Sequence, residues 1–234
     1  MRRNHTLTFN GISLSDFGCY YDGSQLWRKP ERLVEKLSVV GKNGDLIIDQ
    51  GRYSNIQRPI RCFITDHFVK NYNSLLDALT QIEGYGRLES TEEPDVYYMA
   101  SFVDEIQPDL WQFNEKGVST LNFDFKPQKW LKSGEIAIPI TTSLSITNPS
   151  NQIALPLIEV QGTGSITIND STLTLANNTS TTVIDCETQD CYEGTINRNS
   201  DLTIVGGFPV LTKENTISYT GFTSVKLTPR WWRL

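Results

Sequence analysis

The chain has 234 residues and a net charge of −6, with 38% hydrophobic and 21% charged residues. This composition predicts a globular protein of one or two domains and excludes a disordered chain. The negative net charge argues against a protein whose main function is to bind nucleic acid or anionic lipid. No apolar run approaches the roughly 18 residues of a membrane helix, and no apolar segment follows the basic N-terminus as in a secretory signal. We therefore expect no membrane segment.

Cysteine and histidine are scarce, which limits the chemistry that the chain can perform. The residues concerned are Cys19, Cys62, Cys186, Cys191, His5 and His67. None of them shows metal-ligand spacing, and no nucleophile, phosphate-binding or dinucleotide-binding motif occurs. Cys186 and Cys191 could form a disulfide on facing strands, but two reduced thiols are the preferred interpretation. The sequence thus predicts no catalytic residue, no cofactor and no metal.

The first part of the chain alternates apolar and polar residues, which is typical of half-buried strands. The predicted strands cover 7–9, 37–40, 46–48, 60–64, 96–106 and 118–125. Asn43-Gly44 supplies a turn between the second and third of these strands. Pro127 is expected to end the last strand, because proline donates no backbone hydrogen bond to a ladder.

One helix is predicted in this part, over residues 71–82. Tyr72, Leu75 and Leu79 fall on one apolar stripe with a period of 3.6 residues, and Gly84 is placed to end the helix. The simplest interpretation is that the stripe packs on a sheet. Part of an interface between subunits is the alternative.

The second part, residues 133–225, has a different composition, with 17 Thr, 10 Ser and 8 Asn. Short alternating runs predict strands at 155–160, 165–168, 172–175, 182–185, 202–205, 216–219 and 224–227, with turns at 169–171 and 177–178. Many short strands without a helical period predict a sandwich of antiparallel sheets.

These differences predict three segments: a domain at 1–132, a β-sandwich domain at 133–225 and a C-terminal segment at 226–234. Trp231 and Trp232 are adjacent on the last segment, so on a strand they point to opposite faces. We expect this segment to dock on the first domain or on a neighbouring subunit.

The second part contains candidate residues for two kinds of ligand site. Asp185, Glu187, Asp190 and Glu193 could bind calcium or form a glycosidase pair, although a solvated acidic loop is the simpler interpretation. A sugar site would need an exposed aromatic ring, and the second part contains four aromatic residues and no tryptophan. They are Tyr192, Phe208, Tyr219 and Phe222.

Several short motifs, taken in their order along the chain, resemble the distal tail proteins of long-tailed phages. They are Leu-Thr-Phe-Asn-Gly at 7–11, Ser-Asp-Phe-Gly at 15–18, Val-Val-Gly-Lys-Asn-Gly-Asp-Leu at 39–46, Gly-Arg-Leu at 86–88, Asp-Val-Tyr-Tyr-Met-Ala at 95–100, Phe-Asp-Phe-Lys-Pro at 123–127, Ile-Asp-Cys-Glu at 184–187 and Pro-Arg-Trp-Trp-Arg-Leu at 229–234. The glycine-rich turn departs from the family pattern, since Val40 stands where the family often has proline. The resemblance covers nearly the whole chain.

The resemblance implies a mainly β fold: a barrel-like or sandwich-like ring domain with one helix, followed by a galectin-like antiparallel sandwich. It implies a structural protein of the virion tail tip, made in the host cytoplasm, that forms a homohexameric ring. The ring would join the tail tube protein to the tail-associated fibre or lysin protein, anchor receptor-binding proteins and let DNA pass without binding it specifically.

The candidate interface residues are Gly41, Lys42, Asn43, Gly44, Asp45, Tyr72, Leu75, Leu79, Trp231 and Trp232. The main rival hypothesis is a carbohydrate-binding surface adhesin that uses the sandwich, with Tyr192 and Phe222 as the rings to test. A hydrolase is a third hypothesis. It is disfavoured because the sequence shows no convergent acid, base or nucleophile.

Overall fold

A computed structural model describes residues 5–21, 23, 29–102, 116–176 and 180–234, together with the backbone of 108–111. The fold is mainly β, with 57% of residues in strands, and it confirms the predicted class of curled antiparallel sheets. No helix among the described residues is long and apolar enough to cross a membrane. The chain divides into two compact units, Met1–Lys129 with Leu234, and Trp130–Arg233.

The first unit contains ten strands and, in the part described, one α helix. In chain order they are β1 (Leu7–Phe9), β2 (Ile12–Ser13), β3 (Cys19–Tyr21), β4 (Arg32–Ser38), β5 (Asp45–Tyr53), β6 (Ile56–Ile64), α1 (Phe68–Thr80), β7 (Gly86–Ser90), β8 (Glu93–Phe102), β9 (Pro108–Trp111) and β10 (Lys116–Leu131). Seven strands form one sheet in the order β2-β1-β7-β8-β10-β6-β3, and β9 pairs with β10. Among the described residues, strands β4 and β5 pair only with each other, as a separate two-stranded sheet.

The core of the first unit is built from one face of this sheet and one face of α1. Phe9, Phe123 and Leu75 are almost fully buried there, and the rings of Phe9 and Phe123 meet edge-on with centroids 5.3 Å apart. The period-2 pattern of β10 and the 3.6-residue period of α1 place their apolar side chains on the buried faces.

The second unit has two sheets that enclose a second core. Its strands are β11 (Ile138–Ile140), β12 (Ser143–Thr147), β13 (Leu157–Gln161), β14 (Gly164–Ile168), β15 (Ser171–Leu175), β16 (Thr181–Asp185), β17 (Asp190–Glu193), β18 (Ile196–Asn197), β19 (Leu202–Val205), β20 (Glu214–Thr220), β21 (Ser224–Thr228) and β22 (Trp232–Arg233). One sheet has the order β11-β21-β13-β16-β17-β18, and the other has the order β12-β20-β14-β15-β19. Strand β22 belongs to neither sheet and pairs with β10. Buried residues of both sheets form one cluster, which makes this unit a sandwich.

Most predicted strands are present, with shifted ends. The predicted hairpin at 165–175 is confirmed, because Ile168 pairs with Ser171 and leaves Asn169 and Asp170 as its two-residue turn. The prediction that Pro127 ends its strand is wrong, since β10 continues to Leu131. The pairing of β10 with β6 already ends at Phe125, so proline removes no hydrogen bond from that ladder.

Other predictions fall outside the described residues or differ in extent. The turn expected at 177–178 and the end of the strand expected at 103–106 lie outside the part of the chain that the structure describes. Val39 and Val40, predicted as strand, follow the end of β4 and belong to its connection with β5.

Candidate functional site

The hairpin formed by β4 and β5 exposes apolar side chains on both of its faces. Leu37 and Leu46 lie directly opposite each other and are 48% and 45% exposed, and Ile48 lies on the same face. The other face carries Val34 and Ile47, of which Ile47 is 61% exposed. A two-stranded sheet with no covered face is at best marginally stable in water.

The connection between β4 and β5 has the conformation that its glycines allow. Gly41 and Gly44 have φ values of +80° and +82°, which other residues adopt only with strain. The whole connection is exposed, including Lys42, Asn43 and Asp45. The five predicted interface residues of this turn therefore lie on the surface, next to the exposed apolar side chains.

Mixed charges surround the apolar side chains of the hairpin. The guanidinium of Arg32 pairs with the carboxylate of Asp49, and both side chains are exposed. The Gly51 backbone N–H, which donates to Asp49 Oδ1 over 2.9 Å, lowers the pKa of Asp49, and Arg32 lowers it further. An exposed pair of this kind contributes little to stability.

The predicted interface residues of the helix are in a different position. Tyr72, Leu75 and Leu79 are buried in the core of the first unit, and the ring of Tyr72 stacks on Phe68 with centroids 5.4 Å apart. A side chain inside the core offers little surface to a partner, and the interface role of these three residues stays a prediction. The large apolar side chain that α1 exposes is Val69.

The contacts shown for the two tryptophans lie within the second unit. Trp231 is buried in the sandwich core, and its carbonyl accepts a hydrogen bond of 2.9 Å from the Leu131 N–H. The indole N–H of Trp232 donates to the carbonyl of Ile153 over 2.9 Å. Gly134 lies so close to the backbone of Trp231 that a Cβ would overlap it. Docking on the first domain or a neighbouring subunit stays a prediction.

An ion pair fixes the C-terminal segment onto the sandwich. The Arg230 guanidinium donates to both carboxylate oxygens of Asp185, over 2.7 and 2.9 Å. Burial raises the pKa of Asp185, but the hydrogen bonds from Arg230 and from the Glu187 N–H outweigh it, so the pKa is lowered.

The residues of the two candidate ligand sites make other contacts in the structure. In the acidic stretch, Asp185 binds Arg230 and Glu193 binds Arg198, and no group of metal-ligating side chains occurs among the described residues. The ring of Phe222 is buried, so it offers no face to a sugar.

The exposed faces of the hairpin were not predicted from the sequence. The signal was present in the run Leu46-Ile47-Ile48, because consecutive strand residues point to opposite faces. Three apolar residues in a row therefore place apolar side chains on both faces of a hairpin that has only one other strand.

Comparison with known proteins finds a solved structure with a similar fold. No protein-family model and no curated protein matches the chain. The structure is similar to the crystal structure of the SPP1 Dit (gp 19.1) protein, described as a paradigm of the hub adsorption apparatus in Gram-positive infecting phages. The TM-score is 0.74 and the sequence identity 14%, over 99% of this chain and 100% of that chain. The two proteins share a fold over their whole length.

Proposed function

We propose that this chain is a structural hub protein of the tail tip of a long-tailed phage or prophage. The observation that carries the proposal is the similarity in fold to the SPP1 hub protein, which extends over the full length of both chains. Both units match one solved chain in the same order along the sequence. The motif order in the sequence points to the same family.

The exposed hairpin supports self-assembly as the way in which the chain acts. Its apolar side chains lie on both faces of a sheet that has no support of its own, and burying them would remove a few hundred Å² of apolar surface from water, at about 25 cal/mol per Å². A neighbouring copy of the chain can provide that cover. Head-to-tail contacts of this kind form a ring when the rotation between subunits closes.

The remaining details of the proposal follow the family resemblance. The ring has six copies built around the first unit, and it connects the tail tube protein to the tail-associated fibre or lysin protein. The second unit is a galectin-like sandwich at the periphery, where receptor-binding proteins attach. The protein works without a catalytic site, cofactor or metal, and its net charge of −6 suits a ring through which DNA passes without being held.

The hairpin allows a direct test of assembly. We expect size-exclusion chromatography with light scattering to give six times the 26.5 kDa chain mass for the wild type. In the double variant Leu37→Ser and Leu46→Ser, the ring should fall apart at a protein concentration at least tenfold higher than the concentration at which the wild-type ring does. The melting temperature of the monomer should be unchanged.

The matched control is the double variant Ile136→Ser and Ile153→Ser, which removes two equally exposed apolar side chains from the second unit. It should assemble like the wild type. A wild type that stays monomeric at high concentration contradicts the proposal. Equal assembly of the hairpin variant and the control contradicts the role of the hairpin.

A further inference from the structure

Both sheets of the sandwich end on the same side of the second unit. Strand β18 is the last strand of the six-stranded sheet, and β19 is the last strand of the five-stranded sheet. The four residues 198–201 connect them, which limits the distance between Asn197 and Leu202 to about 18 Å. Among the described residues β19 pairs with β15 alone, so one row of its backbone N–H and C=O groups is open.

Apart from its length of only four residues, strand β19 lacks the features that usually protect an edge strand. Its sequence is Leu202-Thr203-Ile204-Val205, with no charge, no proline and no bulge in its pairing with β15. Natural edge strands are commonly protected by lysine, proline or an inward-pointing charge, because open backbone groups are a template for another strand. An unprotected edge composed of strong β-formers is suited to strand addition.

Exposed apolar side chains accompany the open backbone. Ile204 lies opposite the buried Leu173, so its side chain points toward the core side of the sheet, yet it is 37% exposed. Val205 points to the other face and is 63% exposed, while Ile196 on β18 is 56% exposed. One more strand beside β19 would therefore cover the side chain of Ile204.

We propose that an extended segment of a partner protein adds to β19 as a sixth strand of its sheet. Backbone hydrogen bonds along β19 give the affinity, and side chains at alternate positions give the specificity. The segment needs an apolar side chain on the core side, beside Ile204, and a small polar or β-branched side chain on the outer side, beside Thr203. The inference does not depend on ring formation.

A single segment suits this edge better than a second copy of the chain. A segment needs only the open groups of β19. A second sandwich would have to bring its own β18 against the β18 of the first copy while it paired with β19. Self-pairing through β19 is therefore an outcome that the test must separate from the proposal.

Hydrogen–deuterium exchange of the full-length protein tests the proposal. The probe is a synthetic peptide, Lys-Thr-Val-Thr-Val-Thr-Lys, and the control peptide carries proline at the central threonine. At millimolar concentration the probe should slow the exchange of the fast amides in 202–205 at least threefold, and the proline peptide should leave them unchanged. No protection by the probe overturns the proposal.

Variants place the effect at this edge. Ile204→Lys puts an inward-pointing charge on the edge and should abolish the protection, while Ile153→Lys, on an equally apolar exposed site of the same unit, should retain it. Val205→Lys, at a largely exposed position, repeats the test if Ile204→Lys fails to fold. Protection that survives both edge variants contradicts the proposal. Protection that appears without peptide and grows with protein concentration assigns the edge to a second copy and also overturns it.

Discussion

At the scale of single residues, we expect the ion pair between Arg230 and Asp185 to stabilise the fold more than the exposed ion pairs of the chain do. It joins residues 45 positions apart, it is bidentate, and its carboxylate is largely buried. The φ of Arg230 is +56°, so this residue holds an uncommon backbone conformation at the start of the tryptophan pair. The pair therefore orders the segment that delivers Trp231 to the core.

Replacing Arg230 should destabilise the second unit. Arg230→Gln leaves the buried Asp185 carboxylate without its charged donors, at a cost of about 2 kcal/mol at neutral pH, measured by denaturant unfolding. The control Arg32→Gln breaks an exposed pair and should change the free energy of unfolding by less than about 0.5 kcal/mol. Because folding lowers the pKa of Asp185, its contribution is present above the ordinary value of 3.8 and is lost as the pH falls through the folded pKa. Equal costs for the two variants would refute this ranking.

The cysteines lead to a prediction at alkaline pH. All four thiols are free and buried. Burial raises the pKa of Cys186 to about 12 and that of Cys191 to about 11, from an ordinary value of 9.0, and nearby Asp185 and Asp201 contribute. Since these groups hold their protons in the folded state, the stability that they add is complete below pH 9.0 and is lost as the pH rises through the folded values.

The measurement is alkylation by iodoacetamide at pH 8. The native protein should react at none of its cysteines within the time in which the unfolded protein reacts at all four, because all four thiols are buried and because Cys186 and Cys191 carry little of the reactive thiolate at this pH. Rapid labelling of Cys186 or Cys191 in the native protein would show that the two thiols are accessible and ionised.

At the scale of secondary structure elements, the sequence patterns succeeded where an element has one covered face. Strand β10 and helix α1 show this clearly, because burial of one side imposes a period on their side chains. Eight short strands of the described chain were not predicted, namely β2, β3, β7, β9, β11, β12, β17 and β18. They are only two to five residues long, so little of a period develops in them.

The hairpin turn should be sensitive to a Cβ although it touches nothing. Gly44 has a φ of +82° with open space around the Cβ position, so Gly44→Val introduces backbone strain and no clash. We expect the variant to weaken ring assembly at least fivefold while the melting temperature of the monomer changes by less than about 2 °C. Analytical ultracentrifugation measures the first effect and calorimetry the second. A variant that assembles like the wild type would show that the turn geometry does not matter for the contact.

At the scale of the whole molecule, the arrangement of strands could not be read from the sequence. β10 lies between β8 and β6, which precede it by different distances along the chain, and β21 separates β11 from β13. Such pairings depend on contacts between residues that are remote in sequence, whereas periodicity reports only on the nearest neighbours. The motif order suggested the fold through family resemblance, and the full-length match supports it.

The candidate site could be predicted only in part. The glycine turn at 41–45 was predicted as part of an interface; the structure shows that it is exposed, and its contact with a partner stays a prediction. The exposed apolar side chains of the hairpin lie on the two strands beside the turn, and they are exposed because no third strand pairs with β4 or β5 among the described residues. That absence is a property of the fold as a whole, which local patterns do not reveal.

The most direct measurement of the central claim is electron microscopy of the purified full-length protein. We predict class averages of a closed ring with six-fold symmetry and a central channel, with the Leu37→Ser and Leu46→Ser double variant giving single subunits in the same buffer. Single subunits of the wild type at high concentration, or open filaments in place of closed rings, would contradict the proposal that this chain is a tail hub.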